Sequence, residues 1–272
     1  MLLKIAAIIL MVVPAVSSAQ TVESLAERTL ANPVARWIHR RTPGADVYVL
    51  TGSAAQPMLR VIANESERSI RANLEWLREG SAKGRLKLFF VGSREEMRPF
   101  TGTRSAGWSV VGEGTAFFVA NDSVRPAIRH EVMHLLSWRL WGVPGGMWLS
   151  EGVATAAAGR CNAWSIEGIA SALYRDRQLA TIDEMRRRFR TGGTQGTVHY
   201  LSAGSLVTFI DETWGRDRLR ELWRSKGMSG AQNVLGVSPL VIEQRWRRRV
   251  SGEAPAAPWS VISREVARAG CE

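Results

Sequence analysis

Two of the chain's four histidines, His130 and His134, stand four residues apart in HEVMH with Glu131 between them. On a helix that spacing puts both imidazoles on one face, where they can grip one ion, and Glu131 reaches a water bound to it. The chemistry this arrangement offers is metal-assisted hydrolysis, with two nitrogen ligands and a general base. Independent placement of so few histidines would produce such a string in roughly one of a few hundred shuffled chains, so composition explains it poorly. A third ligand is needed, and the candidate is Glu151 in WLSEG, across a glycine-rich turn. A helical hairpin would return its carboxylate to the histidine face. Its flanks, Trp148, Leu149 and the run GVATAAA, predict a buried helix in which an unpaired carboxylate is costly, which favours coordination over an ordinary surface glutamate. Two histidines and a carboxylate suit zinc, one ion per chain, and would also accept manganese, cobalt or nickel.

The elements that must position these residues can be read from periodicity. A helical segment is expected over 22–39, a β-rich run over 46–50 and an amphipathic helix over 56–79. A buried strand follows over 85–91, then a short helix capped by Ser93, and a glycine-interrupted hairpin over 108–120. Past residue 121 the pattern is helical throughout. Asp122 or Ser123 is expected to cap the metal-site helix and Pro126 to stand in its first turn, with Gly142 closing it. The WLSEG helix should end at Gly159, and further helices are expected at about 163–178, 181–190, 199–214, 216–226 and 238–250. The fold class is therefore α+β: a small mixed sheet with the metal-site helices, followed by a mainly helical C-terminal lobe.

HEVMH followed by WLSEG resembles the gluzincin clan of zinc peptidases, specifically its peptidase-MA-like domains. The resemblance spans roughly residues 45–250, with specific motifs only at 130–152 and near 200. It implies zinc held by His130, His134 and Glu151 in a cleft between the two lobes, and Glu131 as the base that activates water for attack on a peptide bond. In the aminopeptidase branch a tyrosine opening a helix of similar pattern stabilises the oxyanion. Tyr200, on a segment with Gly204, Leu206, Val207 and Phe209, matches that position, and its neighbour His199 is a rival donor. The resemblance also implies that an edge strand pairs with extended substrate, a role expected for the arm Thr115–Ala120. The aminopeptidase G-x-M-E-N sequence is missing, and Thr155 stands where the thermolysin branch places a carboxylate. The missing G-x-M-E-N favours an endopeptidase or narrow-specificity enzyme, and Thr155 bears only on the outer shell around the ligands.

The first 19 residues read as an export signal: Lys4, an apolar run from Ile5 to Val13, Pro14, then Ser17 and Ala19 at a cleavage site. Residues 20–272 are read as one catalytic domain: an α/β lobe over about 45–142, a helical lobe over about 143–250 and a tail over 251–272. Export, to the periplasm or outside the cell, leaves no spanning segment in the mature chain. It also permits a disulfide between Cys161 and Cys271, with two separate thiols as the alternative. The formal charge of +11 is concentrated in runs at 184–190 and 244–249. Both carry apolar residues at helical spacing and read as the wet faces of amphipathic helices, with weak attraction to anionic envelope polymers and no nucleic-acid role. His39 has no partner at metal spacing and reads as a surface residue, while the tryptophans at 138, 141, 148, 214, 223 and 246 read as core. The leading expectation is an exported zinc peptidase acting on peptide or protein. A non-catalytic envelope-binding protein of the same fold and a zinc hydrolase of non-peptide substrate are the alternatives.

Overall fold

The computed structural model describes residues 23–189, 193–269 and 271. The expected export signal lies outside them, and no helix among the described residues is long and apolar enough to cross a membrane. The protein is mixed α+β, sheet first and helices after. A helix α1 (Leu25–Ala31) leads into β1 (Trp37–Arg41) and β2 (Ala45–Leu50), then α2 (Leu59–Leu77), β3 (Leu86–Val91), α3 (Arg94–Thr101), β4 (Gly107–Val110) and β5 (Thr115–Val119). The strands form one sheet in the order β1-β2-β3-β5-β4. β2, β3 and β5 run parallel at its centre, and β1 and β4 are antiparallel edges. Central parallel strands are buried on both faces, which is why β3 and β5 are apolar apart from Lys87 and Thr115. Phe90 stacks on Phe118 on the face covered by α2 and the metal-site helix, and Phe89 on Phe117 on the face covered by α1 and α3.

Two expectations fail in this half. The predicted helix over 22–39 stops at Ala31, and residues 37–41 are a strand. Pro33 cannot continue the helix, and the tight turn at Thr42–Ala45 folds WIHRR back onto β2 with register Trp37↔Leu50. His39 is accordingly an exposed strand residue, stacked on Tyr48 and 3.2 Å from Asp46. The arm Thr115–Ala120 is not an edge: β5 is flanked by β3 and β4, so the edge strand beside the cleft is β4, the first arm of the hairpin.

The helical half begins with α4 (Ile128–Trp141) and α5 (Met147–Ala158). α4 starts later than expected and has no side-chain cap. Pro126 precedes it, and Asn121 spends its side chain on its own turn, accepting from the backbone N–H of Ser123 and Val124. Gly142, at φ 88°, closes it as expected. A hairpin of β6 (Arg160–Cys161) and β7 (Trp164–Ser165) occupies the start of the predicted 163–178 helix, which reduces to α6 (Ile166–Arg175) capped by Ser165. Then come α7 (Ile182–Arg188), α8 (Gly193–Trp214), α9 (Arg216–Arg224), α10 (Ala231–Leu235), α11 (Pro239–Gly252) and α12 (Trp259–Ala269). The last corrects the expected tail: residues 251–272 include an amphipathic helix that buries Trp259 and Ile262.

Cys161 and Cys271 are joined in a disulfide, so the chain end is fastened to the β6–β7 hairpin. The basic runs lie on α7 and α11 with Met185, Ile242, Trp246 and Val250 turned inward and buried. Trp141, Trp148, Trp223 and Trp246 are buried too, and Trp138 and Trp214 pack against the core.

Candidate metal centre

α4 and α5 form the hairpin that carries the site, and its turn is pinned from outside. Gly145 N–H donates to the Trp223 carbonyl at 2.8 Å, and the Trp223 indole donates to the Gly142 carbonyl at 2.8 Å. A Cβ on Gly145 would lie 2.1 Å from the Gly227 nitrogen, so the glycine permits this close approach. At the other end of α4, the buried Asn73 of α2 donates to the Arg129 carbonyl at 2.8 Å. The helix that presents HEVMH is thus held at both ends.

His130, His134 and Glu151 converge on one point. The two Nε2 atoms are 3.1 Å apart, and they lie 3.3 and 3.2 Å from Glu151 Oε2. Tetrahedral ligands about 2.05 Å from zinc stand about 3.3 Å from one another, so three bare donor atoms at these spacings match the base of a zinc tetrahedron. Among the described residues this is the group of histidines and carboxylates able to share a metal ion. The fit extends outward. His134 Nδ1 lies 3.1 Å from Ser150 Oγ, which also accepts from the Trp138 indole at 3.1 Å. With Nδ1–H donating to the serine, the lone pair of Nε2 would face a bound ion, the tautomer that coordination requires.

Burial alone would raise the Glu151 carboxyl, but the two histidines outweigh it and hold the group well below the usual carboxylate range. The same burial works to lower His134, and Glu151, with help from Glu131, reverses it and raises the imidazole. A raised His134 beside a lowered Glu151 marks a spot whose carboxylate favours a positive charge next to it, which a divalent cation would supply.

Glu131 points into the same cleft beside β4. Ser109 Oγ donates to its carboxylate and to its backbone carbonyl, the latter at 3.2 Å. A Cβ on Gly107 would stand 2.5 Å from Glu131 Oε1, so the bare backbone of the edge strand is the wall against which the carboxylate rests. Tyr200 lines the cleft, with its ring 6.4 Å from that of His130, whereas the buried His199 stacks on Phe189 and is not in the cleft wall. Burial, followed by Glu151 and Glu131, pushes the Tyr200 phenol upward, so it stays a proton donor throughout the ordinary pH range. α8 reaches this position by lying unusually close to α5. A Cβ on Gly152 would be 2.8 Å from the Ala203 carbonyl, and one on Gly204 would be 2.5 Å from Thr155 Cγ2.

The cleft encloses about 1070 Å³. Ala106 before β4 and Val111 after it both line the cleft, together with Trp138, Met147, Arg160, Cys271 and the three residues of the candidate metal centre. Sequence reasoning missed Ser150 and Ser109. Ser150 was legible as the residue before Glu151, one turn from facing His134, but Ser109 owes its place to a strand–helix contact 22 residues apart in sequence. No family model matches the chain, and no curated protein matches it as a relative.

Proposed function

We propose that the protein is a zinc-dependent peptidase of gluzincin type, with His130, His134 and Glu151 as the metal ligands. The observation that carries this reading is the triangle of three donor atoms at 3.1–3.3 Å with a glutamate one residue along the same helix. Bound zinc would polarise the scissile carbonyl and acidify the attacking water. Glu131, oriented by Ser109 and Gly107, takes the proton of that water and returns it to the leaving amine. Tyr200 donates to the carbonyl oxygen as negative charge develops on it, and its elevated pKa keeps the donated proton in place.

The substrate lies along β4. This strand has one side paired to β5 and the other facing the cleft, and an extended peptide added there antiparallel brings its backbone past Glu131. Trp108 and Met147, both exposed at 43% and 53% and both in the cleft wall, offer apolar contact for its side chains. Export of the chain, its action on peptides in the periplasm or outside the cell, and a weak attraction of its basic surface to anionic envelope polymers belong to the same proposal.

The test is digestion of an unstructured protein by the zinc-loaded mature chain beside its Glu131→Gln variant. Cleavage by the wild type that falls by about a thousandfold or more in the variant, with zinc retained, is the expected result. Equal cleavage by both would show that Glu131 is not the base.

A further inference from the structure

The wall of the cleft is not uniform. Val111, Trp138 and Met147 give it an apolar part. Arg160 and Asn162 of the β6–β7 hairpin, Val266 of α12 and Cys271, which the Cys161–Cys271 disulfide ties to that hairpin, stand in another part of the wall. Arg160, the first residue of the hairpin, lines the cleft. Its guanidinium donates to the Ala163 carbonyl within the same hairpin and has no carboxylate at salt-bridge distance among the described residues. Arg160 is an exposed residue of the cleft lining.

The direction of a bound peptide follows from the elements. Glu131, near the start of α4, touches Gly107 and Ser109, while Arg139, near its end, lies beside Gly114, so α4 advances in the same sense as the hairpin from β4. α5 returns the other way: Ser150 meets Trp138 and His134, Glu151 meets His130, and Ala158 leads to Arg160. A peptide antiparallel to β4 therefore enters with its N-terminal part at Val111 and directs its C-terminus toward Arg160. From Glu151 to Ala158 the helix rises about 10 Å, which is the length of about three extended residues.

Resting on the peptidase reading above, we propose that Arg160 binds the C-terminal carboxylate of a peptide lying along β4, so that the enzyme releases two- or three-residue fragments from free C-termini. A planar guanidinium pairs with a carboxylate through two parallel hydrogen bonds, a match an amide end cannot make. The disulfide serves this role by fixing the hairpin that carries Arg160.

The experiment uses the full mature chain carrying Glu131→Gln, loaded with zinc so that binding is measured without turnover. A six-residue peptide of alanine and leucine is titrated as the free acid and as its C-terminal amide, followed by tryptophan fluorescence. The acid should bind roughly tenfold more tightly. Adding Arg160→Gln should bring the two peptides within twofold, and Arg160→Lys, which keeps the charge without the fork, should restore part of the preference, which a merely structural arginine would not do. Equal affinity for acid and amide, or no binding of either at millimolar concentration, overturns the proposal. Acid preference without cleavage by the wild type would leave the Arg160 site standing and remove the peptidase reading. Cleavage without acid preference would do the reverse.

Discussion

The Glu131 carboxylate rests on a backbone with no side chain at Gly107 and takes a hydrogen bond from Ser109, and each contact makes a separate prediction. Gly107→Ala places a methyl where Oε1 now lies, so the base must move. A displacement of that order should lower kcat ten- to a hundredfold while zinc content stays at the wild-type level, read from steady-state kinetics beside elemental analysis. Ser150 acts on the ligand side. Its hydroxyl receives both the Trp138 indole and His134 Nδ1, and Ser150→Ala should weaken zinc binding by about 10- to 100-fold in a competition titration with a chelator. An unchanged affinity would mean that the serine does not set the imidazole. At this scale much of the site was legible. His130, Glu131 and His134 follow from a local helical repeat, and Glu151 from the burial of its neighbours. The choice between Tyr200 and His199 was not, because adjacent helical residues face about 100° apart and only the packing of α8 on α5 says which one meets the cleft.

Elements position the site through close contacts that a sequence only hints at. Gly152 and Gly204 let α5 and α8 approach until a Cβ on either would collide, and this contact brings Glu151 and Tyr200 to one cleft. Gly152→Val should cost about 1–3 kcal/mol in denaturant unfolding and should separate metal ligand from tyrosine. A second junction, between α6, α8 and α11, holds Glu167. Ser205 donates to its carboxylate at 3.0 Å and accepts from the Trp246 indole at 3.0 Å. Burial outweighs the opposing help from Ser205 and Arg249 and pushes Glu167 from the ordinary 4.5 up to about 7. The folded chain then binds more protons than the unfolded one between these values, so stability falls as pH rises from about 4.5 to about 7 and is level outside that window. The fall attributable to this group is about 2–3 kcal/mol, and Glu167→Gln should flatten it in unfolding curves recorded at pH 5 and pH 8. Periodicity identified most helices because their apolar stripes are local. It misread residues 37–41 because a short amphipathic stretch suits either a helix or a strand until a partner strand is known. The resemblance pointed to the wrong arm of the hairpin as the edge because strand order depends on non-local pairing, and the more apolar arm is the one the sheet buries.

Across the whole molecule, one covalent link spans 110 residues and ties the chain end to the middle of the fold. Closing a loop of that length removes about 4–5 kcal/mol of chain entropy from the unfolded state in the simplest account. The paired Cys161→Ser and Cys271→Ser variant should therefore lose about 2–5 kcal/mol of stability, seen as a lower unfolding midpoint at matched pH. No change would mean that the bridge does not constrain the unfolded chain. The arrangement of a small sheet followed by a helical half was legible in outline, as was the grouping of His130, His134 and Glu151. The disulfide and the last helix were less so, since a pairing across 110 residues leaves no local signal and the Gly–Pro break at 252–258 hides a helix beyond it.

The central claim is that the His130–His134–Glu151 triangle holds zinc. Elemental analysis of the mature chain, purified without a histidine tag and beside Glu151→Ala, tests it most directly. The account predicts about one zinc per wild-type chain and a loss of most of it in the variant. Zinc-free wild-type protein after incubation with the metal, or equal zinc in both proteins, would contradict it.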